Sequence, residues 1–207
     1  MVVSTGALVA GCGSGGGSSK SSGSGDTTTA QTVTPPHLVV NTDPAPWPRP
    51  DNPMAWVAAA GLPGFTSEKL FFHVHAHLDV FVDGKPQPVS AGIGISEELG
   101  MAQSAGKSKC DHPCISPLDT HDDTGVLHVE NDSDRQINLG QLFTEWGVRF
   151  NPECVGSYSA PDKAHKVYVG GQEFSGDAST IVLKNFEEIA LVIGTPPSTI
   201  PSAFPTS

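Results

Sequence analysis

The chain has 207 residues, with 22 acidic against 11 basic side chains and a formal charge of −11. That balance argues against nucleic acid, or an anionic lipid surface, as a partner met through a basic patch. No run of eighteen apolar residues is present, so no segment reads as a helix that spans a bilayer.

Residues 1–12 end in Val9-Ala-Gly-Cys12. This ending resembles the lipobox of bacterial lipoproteins, in which cleavage before the cysteine leaves it to carry the lipid. The front departs from the pattern, because no Lys or Arg precedes the short apolar run. On this reading Cys12 is a lipid anchor, and the protein is extracytoplasmic and attached to a bacterial cell membrane. Residues 13–50 are expected to be a tether. The Gly/Ser/Thr part cannot bury a core and reaches roughly 25–30 Å as a flexible coil. The Pro-rich part, Asp43–Pro50, is expected to lie extended along the domain surface through Trp47. Residues 51–195 form the single globular domain, and 196–207 a loose Pro-rich tail.

Within the domain, Asn52, Pro53 and the run Met54–Ala60 predict a short helix stopped by Gly61. Pro63-Gly64 turns the chain into Leu70–Val82, a strand of alternating character. Phe72, Val74, Ala76 and Leu78 share one face; His73, His75 and His77 share the other. Asp83-Gly84 predicts a hairpin with a return strand from Gln87 to about Ile95. Residues 96–118 read as irregular. Gly125–Glu130 is a second alternating strand, with His128 and Glu130 on its polar side, and His121 sits in a turn just ahead of it. Leu139–Trp146 has apolar residues at i, i+3, i+4 and i+7, the mark of an amphipathic helix that ends at Gly147. Lys166–Phe174 reads as a further hairpin, and Thr180–Leu183 and Glu188–Ile193 as closing strands. The sum is an α+β fold: a small strand-rich domain with a mostly antiparallel sheet and one main amphipathic helix. A β-sandwich is the alternative.

Histidine is the residue that carries chemistry here. His73, His75, His77, His121 and His128 come from two segments, and they converge on one ion if the two strands pair. Asp79, Asp119, Asp122 and Glu130 are the nearby carboxylates able to orient ligand rings. Imidazole in an oxidising envelope points to Cu(II) or Zn(II). Cys114–Cys154 is the expected disulfide, preferred to Cys110–Cys114 because closing the longer loop removes more unfolded-chain entropy; one thiol is left over.

Several stretches occur together in order: His73-Val-His-Ala-His-Leu-Asp-Val-Phe-Val-Asp-Gly84, Ala91–Ile95, Ile115–Asp122, Gly125–Glu130 and Leu139–Gly147. Over residues 60–194 they resemble a family of secreted or membrane-attached bacterial proteins, frequent in actinobacteria, for which no activity is established. The family usually carries Leu-His-Thr-His-Asp where this chain has Leu118-Asp-Thr-His-Asp122. The resemblance thus implies that Asp119 replaces one histidine. The family's recurrent cysteine before Ile115 fits a structural bridge from Cys114.

Three functions follow. The first is a surface-tethered lipoprotein that captures or buffers Cu or Zn through its histidines. The second is a non-metal interaction module with a protein partner in the envelope, its histidines sensing acidity. The third is a metal-dependent hydrolase or oxygenase; the spacing after His77 lacks the cupin glutamate, and no nucleophile or phosphate-loop motif occurs.

Overall fold

The structure is a computed structural model that describes residues 37–206. The lipobox with Cys12 and the Gly/Ser tether lie outside the described residues. From Leu38 onward the chain forms one compact unit.

A mixed sheet organises the fold. Its strands are β1 (Phe72–Val82), β2 (Lys85–Gln87), β3 (Leu118–Asp119), β4 (Val126–Asn131), β7 (His165–Val169), β8 (Gln172–Glu173) and β9 (Glu187–Ile193). Their order is β3-β4-β1-β9-β7-β8, with β2 beside β1. Every pairing is antiparallel except β1 with β9. A separate hairpin, β5 (Cys154–Val155) with β6 (Tyr158–Ser159), stands apart. The α+β expectation therefore holds, and one sheet with helices takes the place of the β-sandwich alternative.

The helices are α1 (Pro53–Ala59), α2 (Glu97–Ser104) and α3 (Leu139–Glu145). Helix α3 begins with a capping box: the Asn138 side chain accepts from the Gln141 N–H, and the Gln141 side chain accepts from the Asn138 N–H. Helices α1 and α3 pack on the sheet face built by Ala76, Leu78, Val80, Leu127, Val129, Ile189 and Leu191. The opposite face carries the histidines and, further along, a small apolar cluster of Phe81, Ala190 and Val192.

Several expectations need correction. Trp47 lies inside the main core, 2% exposed, edge-on to Trp146 at 5.5 Å. The Pro-rich segment is thus part of the domain and not tether: Asn41 already pairs with Val148. The return strand covers only Lys85–Gln87; further on, Gly92 and Gly94 adopt left-handed conformations and the Gly92 N–H donates to the Thr120 carbonyl. Residues 97–104 are helical. Thr180–Leu183 contributes only a 3₁₀ turn, Ala178–Thr180, and a bridge between Val182 and Asn138. The tail beyond Thr195 has no regular structure, yet it lies along the domain. Ile200 packs on the small apolar cluster, and Phe204 meets Phe186 at 5.3 Å.

The disulfide is Cys110–Cys114, with Cα atoms 6.4 Å apart, and not Cys114–Cys154. It closes the loop after α2 within a second cluster of Leu99, Ala102 and Ile115. Local burial there outweighs the entropy argument for the longer loop. No thiol is left over among the described cysteines.

Glu145 of α3 is fully buried and accepts the Ser116 hydroxyl at 2.5 Å. Burial, reinforced by the charge of Asp119, pushes its carboxyl well above the ordinary carboxylate range. A raised folded-state value means the folded chain holds a proton that the unfolded chain releases. Stability is then complete at acid pH and falls as pH climbs above the ordinary carboxylate value. Between about pH 5 and pH 8 the wild-type melting temperature is expected to fall, and Glu145→Gln to flatten that fall, since the amide keeps the Ser116 contact without a charge. Thermal melts across that range check it.

Candidate metal centre

The odd-numbered positions of β1 put His73, His75, His77 and Asp79 on the face opposite the main core. The antiparallel register with β4 sets Glu130 beside His73 and His128 beside His75. On the far side of β4, β3 sets Asp119 beside His128. The parallel register with β9 sets Glu188 beside His77. One sheet face thus joins donors from four strands.

One group of donors is His73, His75 and His128. Each offers one ring nitrogen, and all three nitrogens lie within 4.8 Å of one another. His73 Nε2 and His75 Nε2 are 3.1 Å apart. His73 Nε2 is also 3.2 Å from Glu130 Oε1, and His128 Nδ1 is 3.8 Å from that oxygen. Ligands at about 2.0–2.1 Å from a tetrahedral ion stand about 3.3 Å from each other. The two shorter separations match that spacing. His128 Nδ1 and Glu130 Oε2 are buried without a partner at hydrogen-bond distance. Burial, then the neighbouring His128 and His73, lower the pKa of His75 and favour the neutral ring that metals require. Glu130 is held below its usual range by its contact with His128, against the opposing effect of burial, and by the charges of His73, His128 and His121. It stands beside two of the three rings, at 3.2 and 3.8 Å, and is not among the atoms that lie within 4.8 Å of one another.

The backbone of this strand is pinned from the other side. His75 N–H donates to the Asn185 side chain at 3.1 Å, and Phe186 N–H donates to the His75 carbonyl at 2.7 Å. Phe186 reaches it from a left-handed conformation, φ 58°, which is uncommon for an aromatic residue.

His121 stacks on His128, ring centroids 4.2 Å apart and 14° from parallel. Its Nε2 faces Asp119 Oδ1 at 3.1 Å. That contact raises the His121 pKa over the opposing effect of burial. Asp119 is fully buried, and burial pushes its pKa up. His121 is therefore a flank of the cluster, engaged by Asp119.

His77 points to a different set of partners. Its Nδ1 lies 2.9 Å from Glu188 Oε2 and 3.8 Å from Asp79 Oδ2, and its Nε2 donates to the Thr124 carbonyl at 2.8 Å. Burial opposes a charge on His77, but the bonds to Glu188 and Thr124 and the charges of Glu188 and Asp79 outweigh it and raise the pKa. Asp79 also meets Glu188, whose pKa is raised by burial and, against the bond and charge of His77, by the charge of Asp79 and a hydrogen bond with it. Asp122 holds no histidine: it accepts from the Thr124 N–H and hydroxyl and so fixes the turn whose carbonyl meets His77. Gly125 completes that turn at φ 93°, where a Cβ would run into the Leu78 carbonyl and stand 3.1 Å from His77 Nε2.

Glu188 is the site residue that sequence reasoning missed. It precedes an apolar run and carries no motif of its own; only the parallel pairing of β9 with β1 brings it to His77. No protein-family model, no curated protein and no solved structure matches the chain.

Removing His77 would leave the 2%-exposed Glu188 without its counter-charge. His77→Ala is expected to cost about 3 kcal/mol in urea unfolding. Adding Glu188→Leu to it should recover part of that loss, because the orphaned carboxylate goes with its partner.

Proposed function

We propose that the protein binds one Cu(II) or Zn(II) ion through His73, His75 and His128, with Glu130 as fourth donor, to capture or buffer the metal outside the cytoplasm. The observation that carries this reading is the convergence of three imidazole nitrogens within 4.8 Å, two of them 3.1 Å apart. Imidazole with a carboxylate suits both ions. The His73 side chain is 38% exposed and that of His128 17%, so the ion sits near the surface. Ready access supports capture and release more than it supports a sealed structural site.

Display at a membrane through a lipid on Cys12 is the second half of the proposal. Its support is the Val9–Cys12 ending and the Gly/Ser-rich stretch after it. In cells, Cys12→Ser should move the protein from the membrane fraction to the soluble fraction. Retention at the membrane would remove the anchor from the account.

The metal reading is tested by calorimetry and elemental analysis on the purified full chain, with Cu(II) and Zn(II) in turn. The wild type should take up at least one equivalent of one of them. His75→Ala and His128→Ala should each remove one equivalent of that uptake with unchanged circular dichroism, and Glu130→Gln should weaken the binding of that equivalent about 10- to 100-fold. Uptake well below one equivalent for both ions, or uptake unaffected by either alanine, contradicts the proposal.

A further inference from the structure

Next to the histidine cluster, the same sheet face holds a second donor set. His77 Nδ1, one oxygen of Asp79 and one of Glu188 lie within 4.8 Å of one another. His77 donates its other ring N–H to the Thr124 carbonyl at 2.8 Å, the arrangement by which ligating histidines are usually oriented. That bond leaves Nδ1 facing the two carboxylates, and a cation bound there replaces the Nδ1 proton, which is released to solvent. The ion pair between His77 and Glu188 accounts for Glu188 Oε2, 2.9 Å away. It does not account for Oε1, which is buried without any hydrogen-bond partner on a side chain only 1% exposed. Burying such an atom unpaired is costly. Nor does it account for Asp79, a second carboxylate aimed at the same ring from 3.8 Å. Two carboxylates share one imidazole here, and a dication between them removes their mutual repulsion.

We propose that His77, Asp79 and Glu188 form a second divalent-cation site, separate from the three-histidine cluster. One nitrogen and two carboxylate oxygens make a harder donor set than three imidazoles, and Mn(II) is the ion that suits it. His75 and His77 are two residues apart on β1, so the two sites stand side by side at about 7 Å. Phe204 of the tail covers the inner one, its ring 6.2 Å from His77. The Asp79 side chain, 30% exposed, forms its open edge.

The test uses the full chain carrying His75→Ala and His128→Ala, which removes the first cluster and leaves the second intact. Free Mn(II) is followed by its electron paramagnetic resonance signal during titration. The double variant should bind one Mn(II) per chain. Adding Glu188→Gln, or separately Asp79→Asn, should weaken binding at least tenfold. Asp79→Asn is the second arm because its partly exposed position lets the fold survive should the buried change at Glu188 disturb it. Absence of Mn(II) binding by the double variant, or binding unmoved by both carboxylate changes, overturns this site. The two sites fail separately: the second site also accepts Cu(II) or Zn(II), so the first is read from the one equivalent lost when His75 and His128 are changed, and the second from the Mn(II) that the double variant still binds.

Discussion

The site depends on the antiparallel register of β1 with β4, which sets His75 directly opposite His128. A slip of one residue would send every histidine of β1 to the other face. The register is held by the core side of the same two strands, where Ala76, Leu78, Leu127 and Val129 are all at most 1% exposed. Burying one such Leu or Val side chain contributes about 1.5–3 kcal/mol. No metal is needed to set these donors on one face, because hydrophobic burial beneath the sheet does so.

Charge divides the face into two halves. Asp119, Glu130, Glu145 and Glu188 are all buried in a chain that is already strongly acidic. A buried carboxylate is stabilised by a proton, a cationic side chain or a metal ion. Glu145 takes the first course, with its raised pKa and Ser116 contact. Asp119 and Glu188 meet imidazole rings, those of His121 and His77. Glu130 stands among His73 and His128, 3.2 and 3.8 Å from their ring nitrogens, in the ligand set proposed above.

How much of this the sequence discloses depends on whether the deciding contact is local. The period-two pattern of β1 and β4 and the i, i+3, i+4, i+7 pattern of α3 are local, and their positions follow from them. So does the common face of His73, His75 and His77. Which of the three share an ion is not local: His75 faces β4 and His77 pairs with Glu188 of β9, about 110 residues away. Helix α2 escapes notice because Gly100 interrupts it and only Leu99 and Ala102 are buried. Trp47 escapes because its proline neighbours suggest a surface strap, whereas the pocket it fills is built by Phe143 and Trp146 nearly a hundred residues on. The packing of the tail is hidden for the same reason, since Ile200 and Phe204 acquire partners only once the sheet exists.

The central claim is that imidazoles from two strands meet around one ion. X-ray absorption at the metal edge of protein loaded with one equivalent of Cu(II) or Zn(II) addresses it directly. The account predicts a first shell of nitrogen and oxygen at about 2.0–2.1 Å, with the outer-shell scattering of three imidazole rings. A shell of oxygen alone, or scattering from a single ring, would contradict it.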